Sequence, residues 1–220
     1  HCAPIQQMEP NIVSPSDRLV EPLPLRCDDG YHRDLQRLNE KGAEKDEFIV
    51  DCRKAMKTLD GDEARRSICT SMEKLLQNAT FIAENLGPDK EEGRHTVYRC
   101  EETGFNLLFH IFDSANGAPP HDHGSSWAVY GQAVGHTDMT EWVHNDNENK
   151  LVISKEYRLN PGKAGIFPPN AIHSIQYTSG ARFVRVTGVD LETVTRRVYD
   201  ANTHEMRTQK SNGAGFTTER

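Results

Sequence analysis

His121 and His123 stand one residue apart in "PPHDHGSSW", in a chain of 220 residues that holds ten histidines. In an extended strand alternate side chains face the same way, so a strand opened by Pro119-Pro120 would present both imidazoles to one metal ion. A third ligand has to come from a neighbouring strand. His173 in "PGKAGIFPPNAIHSIQ" is the best placed, because it follows a Gly/Pro-rich turn and begins another β-type run. Three imidazoles suit Fe, Zn, Cu or Ni and suit Mg or Ca badly. A lone HxH pair reads as readily as two hydrogen-bonded or solvent-facing histidines. Here Pro119-Pro120, Gly124 and the turn before His173 place all three beside turns, which favours a metal site. His110, His136 and His144 read as structural or exposed, although His110 could lie just behind the ligands.

The elements that must hold these residues follow from the apolar period. Residues 1–30 carry five of the eleven prolines and read as an extended arm. From 31 to 90 the spacing is helical: Leu35 and Leu38; Phe48, Ile49, Cys52, Met56 and Leu59; then Ile68, Met72, Leu75 and Leu76. Asp60-Gly61-Asp62 interrupts that pattern and offers an N-cap, and Gly87-Pro88 ends it. From 91 to 200 the period drops to two in short runs near 95–100, 105–112, 126–134, 137–144, 151–158, 164–167, 172–178, 182–188 and 193–199. Closely spaced short strands predict a mainly β barrel or sandwich with an N-terminal helical layer. Residues 201–220 are polar and read as a loosely packed tail.

Composition narrows the partners. Charged residues make up 27% and the formal net charge is -7, so no basic face is offered to nucleic acid, and no apolar run is long enough to span a membrane as a helix. A small molecule is the expected partner. Five cysteines in no CxxC pair suggest neither a disulfide framework nor a zinc knuckle, and a cytoplasmic location is the expectation. Nucleotide-binding and serine-hydrolase signatures (GxGxxG, P-loop, GxSxG) do not occur.

"FNLLFHIFDSANGAPPHDHGSSWAVYGQAVG" (residues 105–135) followed by "PGKAGIFPPNAIHS" (161–174) resembles the two motifs of the cupin superfamily, and within it the cysteine dioxygenase-type thiol dioxygenases. The resemblance covers roughly 95–190. It implies a cupin double-stranded β-helix, a jelly-roll barrel, in which a ferrous ion is held by His121, His123 and His173. Many cupins add a glutamate four or five residues after the second histidine. Trp127 and Ala128 stand there, in keeping with a carboxylate-free site.

The activity implied is that of an Fe(II)-dependent dioxygenase, placing both atoms of dioxygen on a substrate sulfur to give a sulfinate. Another divalent transition metal could take the same ligands. Arg99 in "TVYRCEETGFN" is placed like the family's carboxylate anchor, and it could equally pair with Glu101 or Glu102. The family's Ser-x-His-x-Tyr triad is replaced by Phe183, Arg185 and Thr187 in "ARFVRVTGVD". That change points to an altered substrate, with Arg185 as a second possible anchor and Thr187 as the remaining hydroxyl. Trp127 and Tyr130 are further candidates to line the pocket. Two other readings stand beside the oxygenase: a metal-dependent lyase or isomerase using the ion as a Lewis acid, and a non-catalytic cupin that binds a small ligand.

Overall fold

The computed structural model describes residues 42–145 and 147–210. The proline-rich arm, the start of the expected helical layer and the last ten residues lie outside them. Among the described residues three helices come first: α1 (Ala43–Thr58), α2 (Gly61–Leu75) and α3 (Ala79–Leu86). Asp60 caps α2 by accepting a hydrogen bond from the Glu63 N–H at 3.0 Å, as its place before an acidic first turn predicts, and Asn78 caps α3 in the same way at the Phe81 N–H. The buried face of α2 is Ala64, Ile68, Met72 and Leu75, a stripe at helical spacing.

Eleven strands follow: β1 (Gly93–Arg99), β2 (Asn106–Ile111), β3 (Asn116–His121), β4 (Ala128–Val134), β5 (Thr137–Asn145), β6 (Lys150–Leu159), β7 (Ala164–Phe167), β8 (Ile172–Tyr177), β9 (Arg182–Thr187), β10 (Thr195–Tyr199) and β11 (Met206–Lys210). They form two antiparallel sheets, ordered β1-β2-β9-β4-β7 and β11-β10-β3-β8-β5-β6. The pairings are nested: β2 with β9, β3 with β8, β4 with β7 and β5 with β6. One long two-stranded ribbon has therefore folded over on itself, and β4–β9 and β5–β8 contacts close it into two facing sheets. This wrapping is the jelly roll expected from the sequence.

The first sheet separates two cores, and β4 and β9 send side chains into both. Leu107, Phe109, Ile111, Val129, Val184 and Val186 pack with the helices. Ala128, Tyr130 and Phe183 point the other way, into the barrel, against Met139, Phe167 and Ile175. Gly131 lies on the helix side, where a Cβ would press into Met72 and Leu76, so its lack of a side chain lets α2 approach the sheet.

Two strands depart from the expected set. β3 contains Pro119 and Pro120 instead of beginning at them, and its pairing with β8 shifts register between Ala118 and His121. Proline donates no ladder hydrogen bond, so the pair is tolerated at this irregularity. β11 lies in the stretch read as a loose tail and pairs with β10 over five residue pairs. Its polar alternation, unlike an apolar one, gave no sign of a half-buried strand. No helix among the described residues is long and apolar enough to cross a membrane.

The rings of Phe81 and Phe109 meet edge to face at 5.8 Å and join α3 to the barrel. Phe81→Ala is expected to cost about 3–5 kcal/mol in urea denaturation without loss of the barrel's circular dichroism; a cost under about 1 kcal/mol would mean that the helical layer does not depend on this contact.

Candidate metal centre

The irregular end of β3 delivers the first histidine. His121 lies directly opposite His173 in the β3–β8 register, so neighbouring strands place these two imidazoles side by side. His123 sits just beyond the strand, in the turn that Gly124 (φ 57) completes; a Cβ there would meet the Thr195 carbonyl. Strand alternation is therefore not what aligns the HxH pair. The turn carries His123 round to the same point, and ring centroids lie 5.4 Å apart for His121–His123, 4.5 Å for His121–His173 and 4.9 Å for His123–His173.

One ligand atom from each of the three lies within 4.8 Å of the others, and all three residues are buried. No carboxylate or thiolate joins this group among the described residues. Both ring nitrogens of His173 are buried without a hydrogen-bond partner, which is costly for a polar group unless something else satisfies it. His121 Nδ1 lies 2.8 Å from the Pro119 carbonyl, and donating to it leaves Nε2 as the lone-pair nitrogen. The donor set fits a divalent transition ion.

Asp122, between the two histidines, faces away from them and is fully buried. Its carboxylate accepts from the N–H of Gly124 at 3.0 Å, the N–H of Arg197 at 2.9 Å and Arg197 Nε at 2.5 Å. Arg197 also donates to Asn170 Oδ1 at 3.3 Å, and the Asn170 N–H donates to the Gly124 carbonyl at 2.9 Å. The turn holding His123 and the turn preceding His173 are thus fastened to β10 and to each other.

Burial is the main cause that keeps the imidazoles neutral. It lowers His121 to about 4 against the opposing bond to Pro119, and it pushes His123 and His173 well below the usual histidine range, helped by the neighbouring histidines. His110 behaves likewise, through burial and then Arg185. It stacks on Phe183 at 4.5 Å and 17° and borders the same cavity, with Nε2 unbonded.

Beside His121 lies a cavity of about 70 Å³ bordered by Arg94, His110, Tyr130, Arg185 and Arg196. Tyr130 and Arg185 face each other across β4 and β9, and Arg185 Nη1 donates to the Tyr130 hydroxyl at 3.2 Å. That hydroxyl stands 3.4 Å from His123 Nε2. β4 thus brings a tyrosine hydroxyl to the histidine cluster, a placement that only cross-strand register reveals. A larger cavity of about 790 Å³ opens by β10 and β11 and holds His144 and His204, but none of the three clustered histidines borders it. The small cavity is the candidate reaction site because it touches His121.

Three expected site residues lie elsewhere. Trp127 shares the parity of Val129 and Gly131, so it joins the helix-side core instead of the pocket. Arg99 is more than half exposed and pairs with Asp190 at 2.7 Å, not with Glu101 or Glu102, and it borders neither His121 nor Tyr130's cavity. Thr187 is buried and donates to the Val189 carbonyl at 2.8 Å; it borders the adjoining cavity and not the one beside His121. Arg94, Arg196 and Asp122 were not singled out by the sequence. Arg94 and Arg196 sit far from the motifs in the chain and meet the site only through the barrel.

No protein-family model matches the chain, and no curated protein matches it. Solved structures similar to part of it include KdgF from Halomonas sp., 16% identical over 43% of this chain and 74% of that one, with a TM-score of 0.35. The cupin domain of Schizosaccharomyces pombe Cnp3 is 12% identical over 46% and 63% (TM-score 0.36), and the DMSP lyase DddQ from Ruegeria pomeroyi DSS-3 is 12% identical over 47% and 49% (TM-score 0.36). Likeness of this strength says nothing of activity. The chain's own strand pairing and side chains define its class: a jelly-roll barrel with a buried cluster of three histidines that could hold a metal.

Because these histidines are neutral in the fold, the unfolded chain takes up more protons once the pH drops below about 6.5. The metal-free protein should hold its stability above that pH and lose it between 6.5 and about 4, the window set by His121. The slope is expected to approach 1.4 kcal/mol per pH unit for each histidine kept neutral, at about 25 °C. A denaturation midpoint that stays flat across this window would contradict the neutral cluster.

Proposed function

We propose that the chain is a mononuclear non-heme iron oxygenase that adds dioxygen to a small carboxylate-bearing substrate, with a thiol favoured. The observation that carries this reading is the buried set of three neutral imidazoles with no carboxylate among them. A ferrous ion held there would keep its full charge and supply an electrophilic, redox-active centre open to an anionic donor and dioxygen. For a thiol the reaction balances as RSH + O₂ giving RSO₂H, with sulfur oxidised and both oxygen atoms retained.

The chain's residues divide the remaining work. Arg185 offers a fork to a substrate carboxylate, and its bond to Tyr130 fixes the direction of that fork. Tyr130 places a hydroxyl beside His123, where it can hold or pass a proton at the substrate's donor atom. His110 and Phe183, stacked on one another, give the cavity an aromatic wall that keeps water from the reacting atoms. The same hydroxyl and guanidinium would also serve redox-neutral chemistry, in which the ion polarises a carboxylated substrate and Tyr130 moves the proton. Turnover that persists without oxygen, or with zinc in place of iron, selects that second reading.

The test is oxygen uptake by ferrous-loaded protein with cysteine, 3-mercaptopropionate and a non-thiol carboxylic acid. Uptake is expected with at least one of them, and His121→Ala should lower it more than about 100-fold, since even the groups that orient metal ligands are worth 10- to 100-fold. No uptake on any member of the set, or an unaffected His121→Ala protein, would overturn the oxygenase.

A further inference from the structure

Two histidines outside the metal cluster bond within the protein: His95 Nε2 lies 2.9 Å from the Glu91 carbonyl, and His204 Nδ1 accepts from the Leu151 N–H at 3.4 Å. His110 does not follow them. It is 2% exposed, and its Nε2 is buried with no hydrogen-bond partner, the mark that His173 also carries at the metal centre. Leaving such an atom unpaired is costly, and an apolar ring would stack on Phe183 without that cost.

Strand register places this ring beside the candidate carboxylate anchor. His110 lies opposite Phe183 in the β2–β9 pairing, and Arg185, two residues further along β9, lies opposite Tyr130 in the β4–β9 pairing. Residues two apart on a strand share a face, so all four side chains turn into the barrel, where they border the cavity of about 70 Å³ beside His121. His110 and Arg185 are thus diagonal neighbours on adjacent strands, within reach of one bridging group. Arg185 commits Nη1 to the Tyr130 hydroxyl, and its Nε is buried with no partner. A guanidinium N–H and an imidazole nitrogen, each lacking a bond, therefore belong to residues that border one small space.

The imidazole is also held in place. It stacks on Phe183 at 4.5 Å and 17° and meets Phe112 edge-on at 5.9 Å and 62°, which fixes the plane of the ring. Burial, and then the Arg185 charge, keep it neutral, so it offers a single N–H without setting a second cation next to the guanidinium. A carboxylate has two oxygens and is well met by two donors converging on it.

We infer that His110 is a substrate-binding residue, the second arm of a carboxylate seat in which Arg185 takes one oxygen and the His110 N–H takes the other. The inference rests on reading the histidine cluster and its cavity as the reaction site. Held at both oxygens, the carboxylate cannot swing about the guanidinium, and the donor atom of a small substrate keeps one approach to the histidine cluster.

Two variants separate the nitrogen from the ring. His110→Phe keeps an aromatic ring against Phe183 and removes the N–H, whereas His110→Gln keeps an N–H and removes the ring. Binding of 3-mercaptopropionate is measured by calorimetry on the full chain, metal-free and without oxygen, and stability by urea denaturation without ligand. His110→Phe should bind the acid at least about tenfold more weakly than wild type, tenfold being 1.4 kcal/mol, and His110→Gln should bind it at least about threefold more tightly than His110→Phe. Stability should run the other way, with the His110→Phe midpoint at or above that of wild type and the His110→Gln midpoint below it. Binding in His110→Phe within about threefold of wild type, no gain in His110→Gln, no binding of the acid by wild type, or a His110→Phe midpoint below that of His110→Gln would each overturn the carboxylate seat. If the pattern of binding holds while oxygen uptake fails with every substrate, the seat stands and the oxygenase falls; oxygen uptake with His110→Phe binding as tightly as wild type gives the reverse.

Discussion

Asp122 has no exposed surface, and both of its carboxylate oxygens are occupied by donors from β10 and from the turn it begins. A carboxylate in such a place is tolerable only when charge and hydrogen bonds are fully met, and Arg197 meets most of them. The consequence reaches the site. Because Asp122 stands between His121 and His123, fastening it to β10 fixes where both imidazoles can point, and the Arg197–Asn170 bond carries the same restraint to the turn before His173. The cluster is preorganised by an ion pair that faces away from it.

Around this clamp the barrel accepts one unfavourable burial. Three imidazoles lie within ring contact, neutral because charging any one of them in that space is opposed by burial and by its neighbours. The arrangement would become favourable on binding a cation.

The sequence made the barrel legible because period-two runs and Gly/Pro turns report strands directly, and it made the histidine cluster legible because His121, His123 and His173 each stand beside a turn. What it concealed was register. Tyr130 and Arg185 are 55 positions apart and become partners only through β4–β9 pairing. Trp127 looked like a pocket residue until the parity of β4 turned it toward the helices. The prolines of β3 read as a strand's beginning because a bulge that accommodates them leaves no trace in composition. Arg99 has the right residue type in the right motif, yet its side chain leaves the barrel to meet Asp190.

On the reading proposed above, the three histidines hold one metal ion. Metal content per chain, measured by plasma mass spectrometry after loading with ferrous ion and removal of excess, tests it most directly when wild type is compared with His173→Ala. About one ion per chain is expected in wild type and less than about a tenth of that in His173→Ala with the fold retained, since neither buried ring nitrogen of His173 has a hydrogen-bond partner and one of them would bind the ion. A wild-type protein that retains no metal, or a variant that retains as much as wild type, would contradict it.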